Sequence, residues 1–263
     1  MCRAKISIML KNNISGVWRG IAAALFWIAV WWAAALAVSN PLLLPGPAEV
    51  CVQLASMAAT ADFWLCILYS MLRVIVGFAA GCAAGVILAV LTHCVPLFKT
   101  LFSPLMSMIK SVPVASFIML VILVFKRDVL PVFICFIMVL PIIWSAVSLA
   151  LETVPEQYKE FAAAYGLSIR KRLFRLYLPW TLPHLAQGTV TALGFAWKAG
   201  IAAEVLCQPS DAIGSGIYAS KIYLEVPQLF AWTVVVILLS IVLEKLLKYL
   251  MRRAKGKRVY QAG

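Results

Sequence analysis

Ionisable side chains inside long apolar runs are the first candidates for chemistry in this sequence. Lys110 lies three positions before Pro113 in one such run, and Lys198 and Glu204 lie six positions apart in another. A charge inside a membrane is costly and usually faces a protein interior or a water-filled path. We predict that these four residues line a path through the protein, and two lysines there favour an anionic solute. Alternatively, Lys110 extends to the inner membrane interface, Glu204 caps its helix and Lys198 pairs within a dimer.

The sequence lacks the residue clusters that enzymes and metal sites need. Its two histidines, His93 and His184, are 91 positions apart, and the seven cysteines form no CxxC pair. No Ser/His/Asp arrangement and no G-x-x-x-x-G-K-[ST] phosphate loop is present. We therefore expect no catalytic residue, no metal site, no cofactor bound by this chain and no ATPase site of its own.

The longest polar interval is Glu152 to Pro183, and it is strongly basic. Thr153 with Glu156 three positions later fits a capping box, and Pro155 suits the first turn of the helix that would follow. Helical spacing places one aromatic stripe and one largely charged stripe on this helix. The first stripe comprises Tyr158, Phe161, Ala162 and Tyr165, and the second comprises Glu156, Lys159, Glu160 and Ala163.

Gly166 is predicted to end this helix in a left-handed conformation. Ser168 would cap a second, basic helix, and Pro179 and Pro183 would break the chain before the next apolar run. An alternative is that the whole stretch rests on lipid headgroups through its cluster of basic residues. That cluster comprises Arg170, Lys171, Arg172 and Arg175.

Composition identifies the rest as an all-α integral membrane protein. Of 263 residues 64% are hydrophobic and 13% charged, against about 25% charged in soluble domains. Apolar runs of spanning length predict six transmembrane helices. Their predicted bounds are 21–38, 63–91, 101–125, 129–151, 184–207 and 229–247. A cleavable signal peptide is the alternative for the first run.

Smaller patterns refine these spans. Gly77, Gly81 and Gly85 recur every four residues, which predicts a helix face where another helix approaches closely. The third span is expected to be interrupted at residues 110–113 because proline removes a backbone donor. A short helix is predicted at 48–59 in the loop after the first span.

The distribution of charge predicts the topology. With both termini in the cytoplasm, the inner segments carry 16 lysines and arginines and the outer loops carry three, as the positive-inside rule requires. The net charge of +13 is thereby explained without a nucleic-acid partner. The domain prediction is 1–60 for the N-terminus, first span and outer loop, 61–248 for the membrane domain, and 249–263 for a basic tail.

Five segments carry a resemblance to a known family. Glu160-Phe161-Ala162, Gly166 and Leu176-Tyr177-Leu178-Pro179 resemble the "EAA" loop of bacterial ABC importer permeases in spacing. Phe161 and Leu176 depart from the family's alanine and isoleucine. LLLPGPAEV, SMLRVIVGF, KSVPVASFIMLVILVF and AWKAGIAAEV are similar to segments of the permeases for nitrate, sulfonate, taurine and bicarbonate.

The resemblance implies a type-1 importer fold in the bacterial cytoplasmic membrane. It implies a homodimeric or heterodimeric permease, two copies of an ATPase subunit that uses ATP and Mg²⁺, and an extracytoplasmic solute-binding protein. It implies that the 152–183 loop docks on the ATPase through the two stripes together with Gly166, Leu178 and Pro179. A secondary transporter or channel that works without ATP is the alternative function.

Overall fold

The computed structural model describes residues 21–259, and within that range the regular structure is helical. The predictions for the basic residues of 1–20 lie outside the described range. The helices, in chain order, are α1 Ile21–Val38, α2 Pro47–Ala58, α3 Ala61–Cys94, α4 Pro96–Ser111, α5 Val114–Val121, α6 Leu130–Glu152, α7 Glu156–Ala164, α8 Ile169–Arg172, a π-helix Leu173–Tyr177, α9 Leu178–Cys207, α10 Ile213–Ile222 and α11 Val226–Val259.

Five of the described helical segments are long and apolar enough to cross a membrane. They become six if α4 and α5, which meet at an angle of 106°, form one interrupted span. Pro113 is the residue before the first turn of α5, so the predicted interruption at 110–113 is confirmed. The bend is sharp because Pro113 has no N–H to continue the hydrogen bonds of α4.

The chain divides into two compact units. The first comprises the residues up to Thr60 and the segment Ala219–Val234. In this unit the rings of Trp31 and Phe230 stack with centroids 6.0 Å apart, and Gln53 donates to Gln228 over 3.3 Å. The short helix predicted at 48–59 is α2, which begins one residue earlier, at Pro47.

The second unit comprises Ala61–Tyr218 and the chain from Val235 onward, and it contains the candidate site. Its centre is α6, which packs along both α3 and α9. A buried apolar cluster connects α5, α6 and α9. Its members include Ile118, Leu130, Ile134, Met138, Ala199 and Ala203.

The glycine face of α3 lies directly against α6, as its spacing predicts. A methyl group on Gly81 would stand 2.8 Å from both the Phe136 carbonyl oxygen and Val139 Cβ. At Gly85 it would stand 2.9 Å from Ile143 Cβ. Such contacts are far below van der Waals distance, so these glycines set how closely α3 and α6 approach.

Two predictions for the polar interval are wrong. Thr153 does not cap α7: its hydroxyl donates to Leu149 O at 2.8 Å, the N-cap is Pro155, and no side chain caps the helix. A threonine hydroxyl at this position can bond either forward to α7 or back to a carbonyl at the end of α6. Thr153 makes the second bond.

Pro179 and Pro183 do not break the chain, because α8, the π-helix and α9 follow one another without a gap. Pro179 lies in the first turn of α9, where a missing N–H costs little, and the π-helical turn before it accommodates the change in hydrogen bonding. The fifth candidate span therefore runs over Leu173–Cys207 instead of 184–207.

Candidate functional site: an exposed helix-turn and a buried ionic network

The exposed helix α7 presents most of the residues predicted to dock on an ATPase. Tyr158, Phe161 and Tyr165 are 47%, 56% and 70% exposed, and the rings of Phe161 and Tyr165 lie 4.3 Å apart. On the charged side, Lys159 Nζ donates to Glu156 Oε2 at 2.9 Å, and this hydrogen bond raises the pKa of Lys159. The helix therefore offers solvent an aromatic patch beside a formed ion pair.

Ala162 is the member of the aromatic stripe that faces inward. It is 2% exposed, so its own chain already covers it. On the same side, the ring of Tyr158 lies 6.3 Å from that of Trp180 in α9. The Ala162 methyl group is therefore covered by its own chain, and a docking role for this residue stays a prediction.

The turn at Gly166 has the geometry of a Schellman motif. Gly166 has φ +60°, its N–H donates to Ala163 O, and the N–H of Leu167 donates to Ala162 O, both at 3.0 Å. These two bonds satisfy carbonyls that the helix end leaves free. The predicted left-handed C′ glycine is confirmed.

The turn is held from its far side by Arg172, whose Nε donates to Leu167 O at 2.9 Å. Arg172 ends α8, and the helix then continues through the π-turn to Leu178 and Pro179 at the start of α9. Thr181 supports this junction by donating to Tyr177 O at 2.7 Å. A bonded turn and an unbroken helix therefore connect α7 to α9.

The four residues predicted for a path occupy three different settings. Lys110 and Pro113 flank the α4–α5 bend, and Lys110 Nζ lies 5.8 Å from the ring centroid of Trp144. Lys198 is exposed on α9, whereas Glu204, six residues further on, is completely buried. Among the described ion pairs, Glu204 is bonded to a different cation.

That cation is Arg73 of α3, whose Nη1 lies 3.5 Å from Glu204 Oε1. The other carboxylate oxygen, Glu204 Oε2, accepts from Ser70 Oγ at 2.7 Å and from the N–H of Gly214 at 3.2 Å. Ser70 Oγ in turn accepts from the N–H of Ile213 at 2.9 Å. A buried carboxylate requires such partners, and here donors surround it.

Arg73 also reaches two segments that lie beyond the helices. Its Nη2 donates to Ser210 O at 2.7 Å and lies 3.4 Å from Asp128 Oδ1, and its Nη1 donates to Asp211 O at 3.2 Å. We call this set of bonds the Arg73 network. Its members are Ser70, Arg73, Asp128, Glu204, Ser210, Asp211, Ile213 and Gly214.

Sequence reasoning found Glu204 but not its partners. Arg73 and Ser70 lie within the predicted second span, and neither of them was assigned a role from the sequence. The available signal was one arginine and one glutamate in apolar runs, each expected to require a counter-charge. Nothing in the spacing shows that residues 131 positions apart meet.

A cavity of about 470 Å³ lies at the opposite end of α3 and α6 from the Arg73 network. Lys99 and Glu152 line it and pair at 2.7 Å, and Trp144 donates to Thr92 Oγ1 at 3.1 Å within its wall. Glu152 ends α6, four positions before α7 begins. The cavity is therefore adjacent to the root of the exposed helix-turn.

Taken together, apolar helices of membrane-spanning length, a sharply broken helix pair and an exposed helix-turn define the chain as a multi-pass membrane transport component. Residues 53–256 match the family described as "Binding-protein-dependent transport system inner membrane component". The chain belongs to this family of ABC transporter permeases, and the resemblance noted in its sequence is confirmed. It is a multi-pass inner-membrane protein.

Individual members of the family share only about a quarter of their residues with this chain. The chain is 23% identical to the taurine transport system permease protein of Escherichia coli over 86% of this chain and 84% of the relative. It is 27% identical to the nitrate import permease protein of Leptolyngbya laminosa over 61% and 57%. It is 26% identical to the bicarbonate transport system permease protein of Synechococcus elongatus over 61% and 57%.

Proposed function

We propose that this chain is the membrane-spanning subunit of an ATP-driven importer and is coupled to a separate ATPase by α7 and the Gly166 turn. The observation that carries this proposal is the combination of an exposed aromatic patch on α7 with a bonded Schellman turn behind it. The patch suits an interface, where aromatic side chains are enriched. The turn suits force transmission, because its backbone bonds and the bond from Arg172 restrict it.

The proposed assembly contains two permease copies, two ATPase subunits and an extracytoplasmic binding protein. ATP and Mg²⁺ act in the ATPase, and this chain supplies neither. Both termini and α7 lie in the cytoplasm in the proposed topology. The excess of basic residues in the same segments supports that orientation.

We further propose a small solute with an anionic group as the substrate. The three relatives are described as permeases for taurine, nitrate and bicarbonate, each of which carries such a group. Lys110, exposed beside Trp144, and Lys198, exposed on α9, supply positive charge to α4 and α9. Together with Pro113 and Glu204 they remain the proposed path residues.

The test is reconstitution of the chain in liposomes with the ATPase and the binding protein encoded beside it. The binding protein is first screened by thermal shift against taurine, nitrate and bicarbonate. We expect uptake of the ligand so identified to require ATP and all three proteins. Uptake that continues without the ATPase would overturn the proposal in favour of a secondary transporter or channel.

A further inference from the structure

The Arg73 guanidinium connects three parts of the chain that no helix joins directly. It arises from α3, contacts Asp128 in the turn between α5 and α6, and donates to the carbonyls of Ser210 and Asp211 in the loop between α9 and α10. Asp128 and Ser210 are held on the same nitrogen, Nη2, at 3.4 and 2.7 Å. One side chain therefore bonds to both the turn and the loop.

The loop between α9 and α10 has an unfavourable backbone conformation. Gln208 has φ +49° and Asp211 has φ +46°, although neither is glycine. Left-handed conformations are uncommon for such residues and persist where surrounding contacts impose them. Gln208 is held by its own N–H bond to Glu204 O at the end of α9, whereas Asp211 is held by the bonds from Arg73 to the carbonyls of Ser210 and Asp211.

The Arg73 network has a buried part around Glu204 and a solvent-exposed part around Asp128, Ser210 and Asp211. Breaking bonds has a different effect in each part. Glu204 is completely buried and has the donors Ser70 and Gly214 besides Arg73. Asp128, in contrast, is 64% exposed, and Ser210 and Asp211 also face solvent. Water can replace Arg73 at these exposed acceptors, so the connection between turn and loop can open while the buried part stays bonded.

We propose that Arg73 is a positioning residue that acts as a releasable latch between the α5–α6 turn and the α9–α10 loop, and that this latch opens in each transport cycle. The proposal rests on the proposed function: with α7 in the cytoplasm, the start of α6 and the end of α9, and with them both segments, lie on the outer side of the membrane. Buried ion pairs contribute little net stability compared with apolar packing. If the network instead holds the turn and the loop together in one arrangement and releases them in another, its charged side chains do what apolar side chains could not do.

A reversible cross-link tests whether the latch must open. In a background without the seven native cysteines, Asp128→Cys and Ser210→Cys are joined by a short bis-methanethiosulfonate reagent, which bonds to both thiols and is removed by reductant. ATP-dependent uptake is measured in the same double variant before treatment, after cross-linking and after reduction. We expect uptake to fall to the level without ATP and to return on reduction. Unchanged uptake in the cross-linked protein would overturn the latch.

A distance measurement tests the latch independently of transport. Spin labels at Lys126→Cys and Ser210→Cys leave the bonds of Arg73 in place, since Ser210 uses only its backbone. In the chain alone in nanodiscs, we expect a narrow distance distribution that gains a longer component in Arg73→Gln. Identical distributions in folded samples of the two proteins would overturn the latch, whether or not ATP-dependent uptake was found. Absence of ATP-dependent uptake by the unsubstituted protein, assembled with the ATPase and the binding protein, would instead count against the proposed function.

Discussion

Ser70 Oγ donates to Glu204 Oε2 over 2.7 Å and joins α3 to α9 in the interior of the bundle, across 134 positions of sequence. Because Glu204 accepts from Ser70, Gly214 and Arg73, its carboxylate is fully bonded without exposure to water or lipid. Ser70 also receives the N–H of Ile213, so the same hydroxyl holds the start of α10. The bundle and the segment after α9 therefore share one polar centre.

Removing only the cation of this centre should destabilise the protein strongly. Arg73→Ala leaves a buried carboxylate without its counter-charge, which typically costs about 3–5 kcal/mol. The double variant Arg73→Ala/Glu204→Gln should recover much of this loss because the unpaired charge is gone. Thermal unfolding in detergent, followed by size-exclusion chromatography, measures both variants.

The exposed pair Lys99–Glu152 is the control for that experiment. Its side chains are 58% and 49% exposed at a separation of 2.7 Å. Lys99→Ala should therefore change stability by less than about 1 kcal/mol. An Arg73→Ala variant no less stable than Lys99→Ala would show that the buried pair contributes nothing.

The glycine face of α3 should not tolerate even one added methyl group. Gly81→Ala would place Cβ 2.8 Å from Val139 Cβ and from the Phe136 carbonyl oxygen, and overpacking of this kind costs about 1–3 kcal/mol. Gly194→Ala in α9 is the matched control, because no atom lies within 4 Å of its added methyl. The control should be neutral or slightly stabilised through helix propensity. Equal melting temperatures for the two variants would contradict the close approach of α3 and α6.

The sequence predictions that the structure confirms depend on residues close together in the chain. Those that are wrong depend on a choice between two possible hydrogen bonds or on how the backbone adapts around proline. Gly166 and the glycine face follow from local backbone geometry and helical period, and the structure shows both. Thr153 failed because its hydroxyl bonds backwards to α6. Pro179 and Pro183 failed because a π-turn allows the helix to continue.

The Arg73 network lies beyond what a single sequence can reveal. Apart from the bond between Gly214 and Glu204, its bonds connect positions 55 to 143 residues apart, and the donors include backbone N–H groups that no motif marks. Apolar periodicity indicates which helix faces are buried but not which two polar residues face each other across them. Only the packing of α3, α6 and α9 brings the charges together.

Substitution of Gly166 should uncouple the permease from its ATPase without unfolding the membrane bundle. At φ +60°, valine meets a steric penalty that glycine does not, of at least about 1–2 kcal/mol. Gly166→Asn is the control, since asparagine tolerates this conformation and the space around the glycine is open. We expect Gly166→Val to lose ATPase co-purification and uptake, while Gly166→Asn keeps most of both. Retention of both activities in Gly166→Val would contradict the coupling role of the turn.

The aromatic patch of α7 should contribute directly to ATPase binding. Phe161 is 56% exposed, so Phe161→Ser removes surface available to a partner with little effect on the fold. Loss of a buried interface aromatic commonly weakens binding by about 2 kcal/mol or more. Tyr223→Ser is the control, because Tyr223 is 74% exposed and belongs to a different segment of the chain, after α10. Equal ATPase retention by both variants on an affinity column would rule out the patch as the docking surface.

Neutralising the two path lysines should weaken transport of an anionic solute more than it weakens ATPase binding. Lys110→Gln removes the cation beside Trp144, and Lys198→Gln removes the exposed cation of α9. Because each charge is proposed to attract the solute, the double variant should show slower uptake while ATP hydrolysis in the assembled importer continues. Lys221→Gln, an exposed lysine of α10, is the matched control and should transport normally. Uptake by the double variant equal to that of the control would show that these lysines do not attract the solute, and the path would then have to be sought elsewhere in the bundle.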